Sequence, residues 1–154
     1  MQYKTNKKVE MVKNYFYLFA GLLSVLFAIT HTLYGLGTAL PILETAMIDS
    51  STKTIFLYEW HIIGVENLVF GIALIVMAFQ KSLEKLKFTA WVIIVILILR
   101  WIIIAFFTVS SDNDNIMNML SDTLAIFMII VLLLLGVRVG AMAGRPKCSD
   151  MFGG

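Results

Sequence analysis

Five ionisable residues stand inside otherwise apolar runs of this chain: His31, His61, Glu66, Arg100 and Asp122. An ionisable side chain at the centre of a bilayer costs about 3 kcal/mol, so such residues are rare and normally face other helices. Arg100 keeps its charge at any working pH, which makes a carboxylate at its level the expected partner. Glu66 and Asp122 are the two on offer, so one carboxylate is left over. A surplus acid in such a place takes up a proton or meets a cation. The chemistry these residues could do is therefore acid–base work by Glu66 or Asp122, with Arg100 holding an anionic or carbonyl group. His31 and His61 would ligate or hydrogen-bond, and Asn67, Asn118 and Tyr34 would complete a ligand pocket.

The two histidines admit sharper readings. One is bis-imidazole ligation of a b-type haem by His31 and His61, with Gly35 and Gly64 leaving room for the macrocycle. Another is a divalent metal held by His31, His61 and Glu66, a sensible ligand set that nevertheless lacks a known metal spacing such as two histidines at i, i+4. A quinone is a third cofactor of the same redox kind. The bland alternatives are a histidine that joins two helices by a hydrogen bond and an Arg100 ion pair that only fixes helix register. Tyr34, Tyr58, Trp60 and Trp101 read as pocket wall or aromatic belt, with the belt preferred for Tyr58 and Trp60. The nine methionines, Met117 and Met119 among them, read as bundle filler. Cys148 is the single cysteine, which excludes an internal disulfide, a cysteine metal cluster and a C-x-x-C pair. The chain carries no glycine-rich phosphate loop, nucleophile elbow or Ser-His-Asp order.

The elements that must position these residues follow from composition. The 154 residues are 60% apolar and 14% charged, against about 45–50% and about 25% in soluble domains, and mean hydropathy is +0.90. A soluble domain of this size buries only about 70% of its surface and could not hide so much apolar area. That excludes a soluble enzyme, a nucleic-acid reader and a disordered segment. Runs of about 20 apolar residues cross a hydrocarbon core. The expectation is an all-α, integral membrane four-helix bundle, one domain over 1–154, with helices at 15–40, 55–79, 86–109 and 115–139. Pro41 is expected to end the first. That first run is too long for the h-region of a signal peptide and lacks an early small-x-small cleavage site.

Charge sets the direction. Of the twelve Lys and Arg, four precede the first run, three (Lys81, Lys85, Lys87) fall between the second and third, and three (Arg138, Arg145, Lys147) follow the last. The positive-inside bias then places both termini in the cytoplasm of a multi-pass cell-membrane protein. The five ionisable residues fall roughly 9–17 Å below the outer surface, while the cytoplasmic half of each helix is nearly pure Leu, Ile, Val, Phe and Ala. Helical phase brings Ser24, His31 and Thr38 onto one small-residue face of the first helix, and Asn115, Asn118 and Asp122 onto one stripe of the fourth. Trp60, Gly64, Asn67 and Gly71 form a stripe on the second. His61 and Glu66 flank it about 140° apart, so they do not point at one centre. The loop at 42–54 is long enough for a small lid. No repeat or linker divides the chain.

The run Glu66-Asn-Leu-Val-Phe-Gly-Ile-Ala-Leu-Ile, followed by the basic turn at Lys81–Lys87 and another apolar span, resembles the DoxX-like group of small four-helix membrane proteins over residues 60–100. The resemblance implies a membrane subunit tied to quinone-linked oxidation or redox stress, with Glu66 as the site acid. The leading expectation is a small-ligand or redox-cofactor site, quinone or haem, in a membrane oxidoreductase or its subunit. The lipid bilayer, a small-molecule ligand and a homo-oligomer or larger membrane complex are the expected partners, with no nucleic acid. The rivals are a non-catalytic accessory protein with a structural ion pair, and an oligomeric proton- or cation-coupled carrier. The apolar cytoplasmic half and the lack of proline-broken spans weigh against the last.

Overall fold

A computed structural model describes residues 12–110 and 116–143. Those residues are helical throughout, with short links and no strand among them: α1 (Tyr15–Tyr34), a π-helical turn (Gly35–Ala39), α2 (Leu40–Thr45), α3 (Ser50–Phe79), α4 (Leu83–Ser110) and α5 (Ile116–Ala143). Four segments are long and apolar enough to cross a membrane, namely Tyr15–Thr45, Ser50–Phe79, Lys85–Ser110 and Met119–Val139. The four expected helices are therefore present, the first three longer than expected and the fourth running on to Ala143. We call the end that carries Asn14 the terminal end and the opposite one the far end.

The first helix does not stop at Pro41. Proline removes an N–H and crowds the carbonyl one turn earlier. Here the turn before it widens to π geometry, with the Leu40 N–H donating to the Gly35 carbonyl, and the helix runs on to Thr45. The expected lid at 42–54 is accordingly absent: α2 and α3 take most of it, leaving a link at 46–49. Asp49 starts α3 early, because its carboxylate accepts from the Thr52 N–H at 2.9 Å and from the Thr52 hydroxyl.

At the terminal end α1 is pinned from both sides. The Asn14 side chain accepts from the N–H groups of Phe16 and Tyr17, capping α1, and its Nδ2 donates to the Gly136 carbonyl at 2.9 Å. The Lys13 and Asn14 N–H groups both donate to the Ala78 carbonyl near the end of α3, at 2.8 and 3.1 Å, which satisfies a carbonyl that the helix cannot. Higher up, α1 and α3 cross at Gly21 and Gly71. A Cβ on Gly21 would stand 2.8 Å from the Gly71 oxygen, so only glycine permits this approach. Around that crossing Tyr17, Ala20, Leu74, Ala78, Ala90, Ile94, Leu97 and Leu133 form a sealed core. α1 packs along α3 and against α5, and α5 along α4, whereas α3 and α4 meet over few residues. That seam is the loose one.

Candidate functional site

Hydrogen bonds tie Asn14, Ala78 and Gly136 at one level. Counting up from it at about 1.5 Å per residue, Glu66 lies about 18 Å, Asp122 about 21 Å, and His31 and His61 about 26 Å away. Arg100 touches Glu66. The ionisable residues thus share a layer in the far half of the helices.

Arg100 extends from α4 across the loose seam to α3. One terminal nitrogen donates to Asn67 Oδ1 at 2.9 Å and the other pairs with Glu66 Oε2. The carboxylate expected for this arginine is therefore Glu66, and Asn67 completes the fork. The pair is not sealed: the side chains are 16% and 30% exposed, respectively.

That leaves Asp122. On α5 the residues Ile126, Ile129, Leu133 and Gly136 repeat at helical spacing and are all buried. Asp122 continues the stripe one turn further, yet it is exposed. The buried stripe of α5 therefore ends at Ile126. Asp122 accepts no hydrogen bond and forms no ion pair among the described residues, and it lies within electrostatic reach of His31 and Arg100. The side chain of Asn118, one turn on, lies outside the described residues, as does Asn115.

His31 has a different task. Its Nε2 lies 3.1 Å from the Trp60 carbonyl. A carbonyl can only accept, so Nε2 carries the hydrogen. The imidazole stacks on the Trp60 indole, with centroids 4.3 Å apart and planes 12° from parallel, and Tyr34 stacks more loosely on the same indole at 6.1 Å. The indole in turn lies on Gly35, where a Cβ would come within 2.1 Å of Nε1. Trp60 is therefore an inter-helix wedge rather than the belt residue expected. Its buried Nε1 has no hydrogen-bond partner among the described residues.

This geometry does not form a haem cleft. The room at Gly35 is filled by Trp60, and that at Gly64 abuts Thr32 and His31, while Nε2 of His31 is engaged. His61 is exposed in a groove of about 520 Å³ with Tyr58 and Glu66. It lies on a different face of α3 from the Trp60, Gly64 and Gly71 stripe that meets α1. Glu66 thus edges both that groove and the Arg100 fork, although helical phase set it about 140° from His61. Among the described residues no three of His, Cys, Asp and Glu are grouped to hold a metal ion, so His31, His61 and Glu66 do not make the ligand set considered above. Thr38 is exposed in the π turn, which breaks the seven-residue repeat of Ser24 and His31, and Ser24 is buried with its hydroxyl on the Ala20 carbonyl.

Two groups had no clear signal in the sequence. Trp101 donates its Nε1–H to Thr123 Oγ1 at 3.0 Å and meets Phe127 edge-on, joining α4 to α5 where the buried stripe ends. Asn14 reads in sequence as the residue before an apolar run, and nothing local announces its bond to Gly136.

No protein-family model matches the chain, and no curated protein or solved structure is significantly similar to it. The fold and this layer define a helical protein with four membrane-length helices and a polar, partly exposed far half.

Proposed function

We propose that the chain is a small multi-pass protein of the cell membrane, both termini cytoplasmic, that binds a small polar ligand in a vestibule opening to the outer face. Asp122 carries the reading: a carboxylate on the core stripe of α5, exposed where its neighbours below are buried. Arg100, Glu66 and Asn67 form the opposite wall, and His31 and Tyr34 are fixed beside it through Trp60. Ten of the twelve basic residues, at the termini and between the second and third long helices, support the orientation by the positive-inside bias. The sealed terminal half supports binding from one side rather than passage through the bundle. Haem is left out because His31 and the two glycines are engaged within the protein. Quinone chemistry, which a DoxX-like membership would imply through Glu66, is left out because the two Arg100 terminal nitrogens seen hydrogen-bonding already have acceptors.

Cysteine labelling tests the reading. With Cys148 replaced by serine, Asp122→Cys is expected to react with a membrane-impermeant maleimide added to intact cells. Leu133→Cys stays unlabelled, and Lys13→Cys reacts only after permeabilisation. An Asp122→Cys that is silent from both sides would sink the vestibule.

A second reading has its own support. Both terminal nitrogens of Arg100 are paired, as a purely structural pin of α4 to α3 would require. In that case Arg100→Leu destabilises the bundle, and adding Glu66→Leu restores it.

A further inference from the structure

We infer that the groove at the α3–α4 link holds the headgroup of an anionic phospholipid, with Lys81 and Ser82 on its phosphate; this rests on the bilayer setting of the four long helices and not on the vestibule. The groove, of about 460 Å³, is lined by Val76, Phe79, Gln80, Lys81 and Ser82. Its two sides differ in kind. Val76 and Phe79 stand three residues apart near the end of α3 and so share a face, Val76 being 53% exposed and Phe79 packed against the core. Helix α3 then stops, with Gln80 in extended backbone, and α4 begins at Leu83. Gln80, Lys81 and Ser82 are thereby left exposed on the link. The groove thus passes from an apolar wall to a polar rim, at the end of the seam where α3 and α4 meet over few residues.

The charge around it has one prevailing sign. Residues 80–87 carry Lys81, Lys85 and Lys87 against a single acid, Glu84. The Lys85 N–H donates to the Ser82 carbonyl at 3.2 Å, which keeps that lysine beside the rim. Lys13 belongs to the same end through its N–H on the Ala78 carbonyl, and Arg138 follows Gly136 by two residues at that level. Lys13, Lys81, Lys85 and Arg138 are exposed, and none of them has an ion pair among the described residues. The acidic side chains that are described, Glu44, Asp49, Glu59, Glu66 and Asp122, all lie toward the far end.

This pairing of wall and rim selects the ligand. A free phosphate would use the rim and leave Val76 and Phe79 uncovered. A zwitterionic lipid would bring its own cation up to a cationic rim. An anionic phospholipid meets both sides, its phosphate on Lys81 and the Ser82 hydroxyl and its acyl chain on Val76 and Phe79. Basic pockets between membrane helices hold anionic headgroups by the same attraction.

The test is native mass spectrometry of the full chain in detergent, titrated with phosphatidylglycerol or with phosphatidylcholine of the same acyl chains. One phosphatidylglycerol per chain is expected to bind about tenfold tighter than phosphatidylcholine. Lys81→Gln should weaken it about fivefold, equal to about 1 kcal/mol. Val76→Trp fills the apolar wall with every charge in place and should weaken it as well. Both positions are exposed, and circular dichroism confirms that the variants fold. Lys53→Gln removes a cation at the far end and should change nothing. Equal binding of the two lipids, or a preference that survives Lys81→Gln, overturns the site. A loss matched by Lys53→Gln means attraction by net charge alone and overturns it too. Indifference to Val76→Trp, or displacement of the lipid by millimolar inorganic phosphate, means a rim for bare anions and overturns the phospholipid.

Discussion

The two halves of the bundle are built from the same four helices by opposite means. In the terminal half small residues let backbones meet: Gly21 lies against Gly71, Gly136 against the Tyr17 ring, and Asn14 clips three helices together through backbone groups. In the far half the helices are held by long or flat side chains that reach across gaps. Arg100 spans to α3, Trp60 wedges under Gly35, and Trp101 reaches Thr123. Contacts between backbones exclude water and leave no room for function. Bridges made by side-chain tips hold the helices at a distance and leave polar atoms partly exposed. The difference explains why one half is sealed, as a foundation, and the other, where we propose the site, keeps polar side chains partly exposed.

The strongest way to break this comparison is to make the same substitution in both halves. Gly21→Ala places a methyl 2.8 Å from a backbone oxygen, where nothing flexible can yield. It should destabilise the bundle by about 3 kcal/mol, the upper range for overpacking. Gly64→Ala meets the Thr32 hydroxyl at 3.3 Å, a side-chain tip that can give, and should be nearly neutral. Thermal unfolding in detergent, followed by helical circular dichroism, measures both. Equal losses would mean that the halves are equally tight.

Next in size is Arg100→Leu, which strands Glu66 without a counter-charge. Because Glu66 is 30% exposed, the loss should be about 2 kcal/mol, below the 3–5 kcal/mol of a sealed pair. Recovery in the Arg100→Leu, Glu66→Leu double variant would show that the far half is held by this pair alone at the α3–α4 seam. Without recovery, Arg100 must serve Asp122 as well. Asn14→Ala then removes the cap of α1 and the bond to Gly136. It should lower stability by about 1–2 kcal/mol, with amide exchange quickening in the first turn of α1 and not around Trp60.

How far these halves could be read from sequence differs in the same way. Composition and run length are enough for four membrane-length helices, and charge arithmetic is enough to pair Arg100 with one of two carboxylates. What lies beyond is tertiary. Pro41 reads as a stop because its local penalty is plain, whereas the relief comes from a π turn set by Gly35 and the residues after it. His31 reads as one of two matching histidines, yet its partner is a backbone carbonyl that only the α1–α3 crossing brings near. Asn14 reads as a cap because the cap is local, while its bond to Gly136 depends on where α5 docks. Residue type and spacing report the helices and their charges; they do not report which side-chain tips bridge a gap of given width.

The smallest expected effect lies at the far end, where Asp49 caps α3. Hydrogen bonds from the Thr52 side chain and backbone hold its carboxyl below the usual aspartate range. A group whose folded value is lowered contributes stability above its unfolded value, about 3.9, and loses it as pH falls through the lower folded value. The cap should therefore be constant from neutral pH down to about 4 and fade below that. Asp49→Asn keeps an oxygen acceptor but cannot titrate, so its amide exchange at Ser51, Thr52 and Lys53 should stay flat where the parent rises in acid. Because Asp49 stands on a short exposed link rather than in the polar layer, the same substitution should leave the unfolding of the terminal core unchanged. If acid instead loosened Asn14 and Asp49 together, the two halves would be one cooperative unit, and the division between foundation and site would fall.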